Sequence, residues 1–336
     1  MGVLYTTLIL HEVSGSDVPR RVCACGGDSA IVSLMAKTRL TRPERRPEWL
    51  KVKAPFGEPV HRLKSLLNGL ELHTVCQEAV CPNLGECWAH GVATFMILGD
   101  VCTRGCRYCA VSKGKPPGFD REEPERVARA VAVMGLRHVV ITSVNRDDLP
   151  DGGAEIFART IEEIRRQSPG CRVEVLTPDF QGDEAALRTV LEACPEVFGH
   201  NVETVPRLYR QARGGGKYEV TLSVLRTARE LYPGGVIKTG LMLGLGETGE
   251  EIRAVIEDLV ACGVDMLTLG QYLRPSSWHL PVERYYSPDE FRYWKEVGES
   301  LGLPHVESAP LVRSSYLADR QFASLNGGGD VLVPLG

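Results

Sequence analysis

Two short clusters of three cysteines are the residues of this 336-residue chain that point most directly to chemistry. Cys102, Cys106 and Cys109 have the spacing C-x3-C-x2-C and follow an apolar run, residues 93–99, which predicts a buried strand. A [4Fe–4S] cluster needs four ligands, and cysteine thiolate is its usual one. Three cysteines therefore leave one iron free to bind a small molecule. The alternatives are a tetrahedral zinc site whose fourth ligand lies elsewhere, or a chance grouping of buried thiols.

The second cluster consists of Cys76, Cys81 and Cys87, with the spacing C-x4-C-x5-C. Pro82 and Gly85 lie between these cysteines, and we expect them to break any helix so that the backbone can fold around a metal. Taken alone, the spacing is equally typical of a zinc knuckle and of an iron–sulfur site. Because the cluster ends fifteen residues before the first cysteine triad, we predict a second three-thiolate site.

The composition excludes several classes of function. The chain is 43% hydrophobic and 24% charged, as is normal for a globular protein, and its net charge of −4 argues against a nucleic-acid partner. No apolar run approaches the ~20 residues of a membrane helix. Eleven cysteines would suit a secreted disulfide scaffold, but such scaffolds are small. Cysteines grouped in two tight clusters favour metal ligation in a reducing, cytoplasmic compartment.

The chain divides into four predicted regions. Residues 1–34 read as a disordered or mis-called N-terminal extension, with Met35 as the expected biological start. Residues 35–92 form an N-terminal arm that carries the second cysteine cluster. Residues 93–285 contain the main domain, and residues 286–336 supply a C-terminal helix, a polar segment and a flexible glycine-rich tail.

The main domain alternates apolar strands with amphipathic helices. Repeated βα units predict a parallel sheet with right-handed crossovers. A full eight-unit barrel typically takes about 250 residues. We therefore predict an α/β fold, a partial (β/α)6 TIM-type barrel with N- and C-terminal extensions. Its six strands are expected at residues 94–98, 138–144, 172–177, 197–202, 236–243 and 266–272.

Polar residues and glycines follow several of these predicted strands. In βα barrels the reactive groups gather on loops at the carboxyl ends of the strands. For one loop, ordinary turn chemistry would explain such residues. Six loops in phase, facing two cysteine clusters, favour a functional rim. The candidates on this rim are Asp151, Gly152, Gly153, Asn201, Glu203 and Gln271.

The spacing of Cys102, Cys106 and Cys109 resembles the signature of the radical S-adenosylmethionine (SAM) superfamily. In that superfamily the amine and carboxylate of SAM chelate the open iron, which implies that these three cysteines hold the SAM cluster. Tyr108 stands where the superfamily usually places an aromatic residue near the adenine.

The same resemblance implies roles for the rim candidates. Gly152 and Gly153 resemble the glycine motif that holds the methionine end of SAM, and glycine lets a backbone approach a ligand closely. Ala154 stands where many members carry Glu, so the carboxylate would have to come from Asp151 or elsewhere. Asn201 and Glu203 are expected at the SAM ribose or amine, with Gln271 on the same rim. The alternative for that pair is a turn and a surface ion pair.

A narrower resemblance depends on the C-terminal motif Arg313-Ser314-Ser315-Tyr316. Together with both cysteine spacings and the stretches 200–206, 240–248 and 270–275, this R-S-S-Y motif resembles the lipoyl synthase family from about residue 35 to about residue 318. The resemblance implies an auxiliary [4Fe–4S] cluster, whose ligands would be Cys76, Cys81, Cys87 and Ser315.

The resemblance also implies a reaction and its partners. The substrate would be an octanoyl group on a lysine of a lipoyl-carrier domain, from a 2-oxoacid dehydrogenase E2 or the glycine cleavage H protein. Two sulfurs from the auxiliary cluster would enter at C6 and C8. A methylene C–H is too weak an acid for any side-chain base, so a cofactor-derived radical is required. An electron donor such as ferredoxin or flavodoxin, and an iron–sulfur carrier to rebuild the cluster, complete the expected partners.

Ser315 would be a hard oxygen ligand in a cluster that prefers soft thiolates, so we expect it to leave easily. Arg313 would stabilise the alkoxide through a charge-assisted hydrogen bond. Cys171, Cys194 and Cys262 are interpreted as buried apolar residues. Two alternatives remain open: another radical SAM sulfur-transfer enzyme, of the methylthiotransferase or biotin synthase kind, which would not need R-S-S-Y, and a structural zinc protein.

Overall fold

The computed structural model describes residues 46–51, 58–78, 81, 83–89 and 92–325. The predicted N-terminal extension, the expected start at Met35 and the glycine-rich tail lie outside the described residues. The predicted domain boundaries stay predictions. No helix in the described ranges is long and apolar enough to cross a membrane.

The described elements follow the predicted alternation of strands and helices. The strands are β1 (His73–Thr74), β2 (Ala93–Ile97), β3 (Val101–Cys102), β4 (Ser112–Lys113), β5 (His138–Ser143), β6 (Arg172–Leu176), β7 (Val197–Gly199), β8 (Val236–Leu243), β9 (Met266–Gln271) and β10 (His305–Ser308). The helices are α1 (Glu58–Gly69), α2 (Val75–Glu78), α3 (Leu84–Ala89), α4 (Glu123–Met134), α5 (Ala154–Gln167), α6 (Glu184–Glu192), α7 (Pro206–Ala212), α8 (Tyr218–Leu231), α9 (Gly249–Ala261), α10 (Pro288–Ser300) and α11 (Ala318–Leu325).

The main sheet of the described chain has eight strands in the order β1-β2-β5-β6-β7-β8-β9-β10. The six predicted strands are confirmed as β2 and β5 to β9, which lie side by side in chain order and pair in parallel. Two strands extend the prediction, since β1 joins β2 antiparallel and β10 joins β9 in parallel. The carboxyl ends of the six central strands therefore meet at one edge, as a functional rim requires.

The two faces of the sheet differ in polarity. On one face, residues in cross-strand register such as Ile141, Val175 and Phe198 are fully buried and apolar. The other face carries Lys238 on β8, whose Nζ lies 2.7 Å from Glu174 Oε1 on β6, beyond the intervening strand β7. Both side chains are only 2% exposed. A charged pair across an intervening strand shows that this second face forms a polar interior.

The two edges of the sheet are bridged by chain segments. β1 and β10 lie at opposite edges, yet Asn83, between β1 and β2, donates from Nδ2 to the carbonyl oxygen of Leu311, after β10, at 2.6 Å. The Tyr316 hydroxyl likewise donates to Glu86 Oε2 at 3.1 Å. The sheet is therefore curved enough for loops to join its edges, in agreement with a partial barrel.

Three local predictions are corrected. Gly85 lies inside α3, so the expectation that it breaks any helix is wrong; a helix of six residues tolerates it because the neighbouring Leu84 and Trp88 are anchored in the core. Cys171 and Cys262 are buried as predicted, but Cys194 is exposed. Cys194 follows α6 in a left-handed conformation (φ 56°), at the turn that leads from this helix into β7. Helices α7 and α11 were not predicted.

Candidate active site

The loop that carries Cys102, Cys106 and Cys109 is fastened to the end of β5. The backbone amide of Asn145 donates to Cys102 Sγ at 3.3 Å, and the amide and hydroxyl of Thr103 both donate to the carbonyl oxygen of Asn145, at 3.0 and 2.9 Å. The short pair β3–β4 supports the base of the loop, because Cys102 stands in register with Lys113. The first cysteine is therefore held at the rim of the sheet.

Arg104 clamps the same loop to two strand ends. Its guanidinium donates to both carboxylate oxygens of Asp147, after β5, at 2.6 and 2.7 Å, and to both of Asp179, after β6, at 2.7 and 2.8 Å. Burial alone would raise the pKa of the Asp179 carboxyl, but the Arg104 charge and hydrogen bonds outweigh it and lower that pKa to about 2. Arg104 is not among the site residues predicted from the sequence. The sequence does contain a pattern that indicates these ion pairs, because an arginine lies inside the cysteine loop and acidic residues follow two neighbouring strands.

The second half of the loop contacts the end of α7 and the segment after β9. The amide of Arg107 donates to the carbonyl oxygen of Ala212 at 2.8 Å, and its own carbonyl oxygen accepts from the amide of Leu280 at 2.9 Å. His279 Nε2 lies 2.8 Å from the carbonyl oxygen of Cys109. The loop thus spans the rim from β5 to the segment after β9, and the cysteines it carries lie over the polar interior.

The thiols of this loop fit an iron–sulfur cluster. Burial raises the pKa of the Cys106 thiol, and it raises that of Cys109 to about 12, where Cys106 and Cys102 add to the effect. The raised pKa values mean that the thiols of Cys106 and Cys109 keep their protons until a metal displaces them. Among the described residues, no three His, Cys, Asp or Glu side chains are arranged around a single metal ion. A cubane sets its thiolates farther apart than one ion does, so this finding does not bear on the cluster.

A second polar group lies beneath the loop. Glu203 has a left-handed backbone (φ 67°), which is fixed because its amide donates to Gly240 O and its carbonyl accepts from the amide of Met242, both at 2.9 Å. Asn201 Nδ2 donates to Glu203 Oε1 at 3.2 Å, and Arg213 Nη1 donates to the carbonyl oxygen of Asn201 at 2.7 Å. The strand predicted at 197–202 ends at Gly199, so Asn201 and Glu203 lie in the segment that follows β7, where Glu203 is fixed by the backbone of β8 and forms no surface ion pair.

The Glu203 carboxyl faces the cysteine loop. Burial raises its pKa, while the Arg213 guanidinium, the Asn201 amide and the Tyr108 side chain each oppose that effect. Glu203 in turn contributes to the raised pKa of Cys106, Cys109 and Tyr108. Three predicted site residues, Tyr108, Asn201 and Glu203, are therefore brought together with the loop. Their contacts with SAM stay predictions.

The rim residues after β5 have structural tasks of their own. Asp151 accepts from the amides of Gly153 and Glu155 at 2.9 and 2.8 Å, which caps the start of α5. A Cβ atom on Gly153 would lie 2.2 Å from Leu98 Cδ1, and one on Gly152 would lie 2.9 Å from a ring carbon of Phe180. Packing alone therefore requires both glycines. A further role at a ligand stays a prediction for all three residues.

Gln271 is buried at the end of β9 and bonded to backbone groups. Its Nε2 lies 3.0 Å from the carbonyl oxygens of Leu243 and Arg284, and its Oε1 accepts from the amide of Tyr286 at 2.9 Å. These bonds fasten the segment after β9 to the neighbouring strand. The predicted contact of Gln271 with the cofactor stays a prediction.

The second cysteine cluster has two buried members, Cys76 and Cys87, and a half-buried one, Cys81. The amide of Cys81 donates to Cys76 O at 3.1 Å, and the amide of Cys87 donates to Asn83 O at 3.0 Å. Burial raises the pKa of the Cys76 thiol to about 11, with Cys81 adding to the shift, and that of Cys87 to about 12, with Cys76 and Cys81 adding. Three neighbouring thiols form a donor set that suits iron.

The R-S-S-Y motif packs against this second cluster. Burial lowers the pKa of the Arg313 guanidinium, and the nearby Cys81 opposes that effect. Arg313 Nη1 donates to the carbonyl oxygen of Val312 at 2.6 Å. The Cys87 thiol is hydrogen-bonded to the backbone of Leu317. Arg313 and the residue after the motif, Leu317, thus lie near Cys81 and Cys87, more than two hundred residues away in the sequence, and the shared ligand set stays a prediction.

Two glycines let the motif enter the polar interior. A Cβ atom on Gly270 would lie 2.1 Å from the carbonyl oxygen of Val312, and one on Gly240 would lie 3.0 Å from Ser314 Oγ. Ser314 also bonds with the side chain of Asn201. Ser315 follows Ser314 directly in this segment, and its role as a ligand of the auxiliary cluster stays a prediction.

Comparison with known proteins agrees with this geometry. Residues 96–259 match the family described as the radical SAM superfamily, and residues 31–81 match the N-terminal domain of lipoyl synthase of the radical SAM family. The chain is 59% identical to lipoyl synthase of Koribacter versatilis (strain Ellin345) over 280 residues, which cover 83% of this chain and 92% of that protein. The chain belongs to the lipoyl synthase family.

A second member of the lipoyl synthase family shows the same level of similarity. Lipoyl synthase of Rubrobacter xylanophilus is 59% identical over 276 residues, 82% of this chain and 86% of that protein. Among solved structures, the crystal structure of Streptococcus suis SuiB bound to precursor peptide SuiA aligns with a TM-score of 0.51 at 10% identity, over 74% of this chain and 52% of that one. This likeness concerns the fold alone. Membership of the family gives the chain SAM and [4Fe–4S] clusters as cofactors.

Proposed function

We propose that this member of the lipoyl synthase family inserts sulfur at C6 and C8 of an octanoyl group bound to a lysine of a carrier protein. Cys102, Cys106 and Cys109 would hold the SAM cluster. Cys76, Cys81, Cys87 and Ser315 would hold the auxiliary cluster, which supplies the sulfur. The observation that carries the proposal is the position of the R-S-S-Y motif, in which Arg313 lies near the Cys81 thiol and Ser314 bonds with the side chain of Asn201.

When bound, the cofactors would supply the radical that reacts with an unactivated methylene group. The protein side chains would position the reactants. Arg104 fixes the cysteine loop over the strand ends. Glu203, with a carboxyl at the loop, is suited to bind the SAM amine, and Tyr108 to lie at its adenine. The Ser314–Asn201 bond connects this group to the segment that carries Ser315, so the residues at the two cluster sites are linked to each other.

Ser315 is proposed as the labile fourth ligand. Its oxygen is harder than a thiolate and binds cluster iron less firmly, which favours release of sulfur. Arg313 lies two residues before Ser315 in the sequence. Its buried guanidinium would stabilise a serine alkoxide by a charge-assisted hydrogen bond.

The partners follow from the reaction. The lipoyl-carrier domain would come from a 2-oxoacid dehydrogenase E2 or a glycine cleavage H protein. A ferredoxin or flavodoxin would supply electrons, and an iron–sulfur carrier would rebuild the auxiliary cluster after turnover. A methylthiotransferase or biotin synthase-like activity is the second candidate, but it would give no role to the docked R-S-S-Y motif.

The test is an anaerobic incubation of the reconstituted protein with SAM, dithionite and an octanoyl-lysine peptide. Mass spectrometry should show a product that has gained two sulfurs and, in its disulfide form, lost two hydrogens. Cys106→Ala should give none. A protein that holds about eight irons per chain and forms no such product would contradict the proposal. A colourless protein that contains zinc would contradict it as well.

A further inference from the structure

The cysteine loop has an exposed outer side that the proposed reaction does not use. Three residues there, which we call the loop patch, are Arg107, Lys113 and Trp278. Trp278 is 55% exposed and is one of the few large apolar side chains that the described chain leaves in solvent. The Arg107 guanidinium lies 5.0 Å from the centre of its ring and donates to the Trp278 carbonyl oxygen at 3.0 Å.

Lys113 extends the positive charge of the loop patch. It is exposed and stands in register with Cys102 on the β3–β4 pair. Its side chain lies across Gly105, where an added Cβ would be 2.6 Å from Lys113 Cδ and 3.1 Å from Nζ. In the described part of the chain, no carboxylate pairs with Arg107 or Lys113. Arg107 beside an exposed indole, with Lys113 across Gly105 of the same loop, matches the surface of an acidic partner.

The loop patch is close to the cysteines that would hold the SAM cluster. Arg107 lies between Cys106 and Tyr108 in the chain, and the neighbour of Trp278, His279, contacts the carbonyl oxygen of Cys109 at 2.8 Å. The inner side of the loop faces Glu203, whereas the patch faces solvent. A carrier domain must bring its octanoyl chain to the interior, near the Ser314–Asn201 bond. An electron needs only a close approach to the loop from outside.

We propose that the loop patch docks an acidic one-electron carrier protein, which passes one electron to the SAM cluster for each SAM cleaved. No atom or proton moves in this step: the carrier is oxidised by one electron and the cluster is reduced by one. This inference rests on the proposed function. Trp278 would supply apolar contact area at the centre of the interface, and Arg107 and Lys113 would steer the acidic surface towards it.

The experiment compares two reductants on the same holoenzyme. Dithionite is a small reductant that needs no docking surface, whereas reduced flavodoxin and reduced ferredoxin serve as protein donors. Lys113→Glu and Trp278→Ala are tested for turnover of an octanoyl-lysine peptide with each reductant. The matched controls are Arg129→Glu, an exposed cation on α4, and Tyr293→Ala, an aromatic residue that is 56% exposed on α10.

With at least one protein donor, turnover should fall about tenfold or more in Lys113→Glu and Trp278→Ala, and the loss should grow smaller as salt is added. Dithionite-driven turnover should stay within about twofold of wild type, and both controls should behave as wild type. As a second readout, the dissociation constant of oxidised flavodoxin or ferredoxin from Lys113→Glu and Arg107→Glu should rise by about the same factor.

Two results would overturn the docking proposal. One is donor-driven turnover and binding that match the Arg129→Glu control with both donors. The other is a loss that appears only when an octanoylated carrier domain replaces the peptide under dithionite, which would assign the patch to the carrier. Failure of wild type to form product with dithionite would contradict the proposed function instead, so the two failures are distinguishable.

Discussion

Ser314 and Asn201 lie 113 residues apart in the sequence and exchange two hydrogen bonds, 2.8 and 3.0 Å long. The serine hydroxyl accepts from Asn201 Nδ2 and donates to Asn201 Oδ1. Asn201 also donates to Glu203, so a single side chain connects the C-terminal motif to the carboxyl under the cysteine loop. The two serines of R-S-S-Y therefore have separate tasks, Ser314 as an anchor and Ser315 as the proposed ligand.

Ser314→Ala should weaken SAM binding and leave the auxiliary cluster in place. Without the hydroxyl, Asn201 loses two bonds and holds Glu203 less firmly, which should raise the KM for SAM about fivefold, the equivalent of roughly 1 kcal/mol. Ser315→Ala is the matched comparison and should show the reverse pattern, with the KM for SAM unchanged and auxiliary iron lost. Equal effects of both substitutions on KM and iron would refute the division of tasks.

Gly270→Ala should release the R-S-S-Y motif from the interior. The new methyl group would lie 2.1 Å from the Val312 carbonyl oxygen, and backbone cannot yield as a flexible side chain does. We expect the purified variant to lose up to about four of about eight irons per chain, with the SAM cluster retained. Iron analysis and Mössbauer spectroscopy measure both.

The control for Gly270→Ala is Gly170→Ala, because a Cβ at Gly170 would meet no heavy atom within 4 Å. It should keep both clusters. If Gly270→Ala also keeps its full iron content, the motif does not need this close approach to the strand.

Arg104→Gln should destabilise the fold and the SAM cluster together. Arg104 and Asp179 have side chains only 8% and 2% exposed, so removal of the guanidinium leaves a buried carboxylate without its cation. The expected cost is about 3 kcal/mol in the free energy of unfolding. Arg292→Gln, which breaks an exposed pair with Asp289, should cost less than ~0.5 kcal/mol.

Anaerobic urea unfolding measures these free energies. Adding Asp179→Asn to Arg104→Gln should recover part of the loss, because the unpaired charge is then removed. A double variant that is less stable than Arg104→Gln by the full cost of Asp179→Asn would show that the two residues act independently.

The stability of the fold should decrease between pH 7 and pH 5. Burial, together with the Arg213 charge, lowers the pKa of His200 from its usual 6.5 to about 3. Below pH 6.5 the unfolded chain binds a proton at this histidine that the folded chain does not, so acid favours unfolding. The contribution of His200 is about 2 kcal/mol between pH 7 and pH 5. His200→Gln should remove this part of the pH dependence, and an unchanged slope would contradict the assignment.

The sequence predicts the parallel sheet well, because strands β2 and β5 to β9 are local apolar runs between amphipathic helices. The ends of the strands are predicted less closely, since the strand expected at 197–202 ends at Gly199. The sequence does not predict Arg104, whose partners Asp147 and Asp179 are 43 and 75 residues away. Contacts of that length depend on the curvature of the sheet, which no local pattern encodes.

The structural roles of the glycines are likewise not predictable from local sequence patterns. Gly152 and Gly153 are predicted as a ligand loop, yet their nearest neighbours are Phe180 and Leu98 of the protein itself. Gly270 has no local signal at all, although it makes the docking of Val312 possible. The exposed side chain of Cys194 is likewise set by one left-handed residue after a helix, which composition cannot indicate.

The most direct test of the two-cluster account follows the sulfur atoms. The protein is reconstituted with isotopically heavy sulfide, freed of excess sulfide, and given SAM, dithionite and an octanoyl-lysine peptide for a single turnover. Mass spectrometry of the peptide should show both inserted sulfurs as the heavy isotope, at no more than one lipoyl group per chain. Ser315→Cys, which keeps four firm ligands on the auxiliary cluster, should release label more slowly. A product with unlabelled sulfur, or equal rates for Ser315→Cys and wild type, would contradict the account.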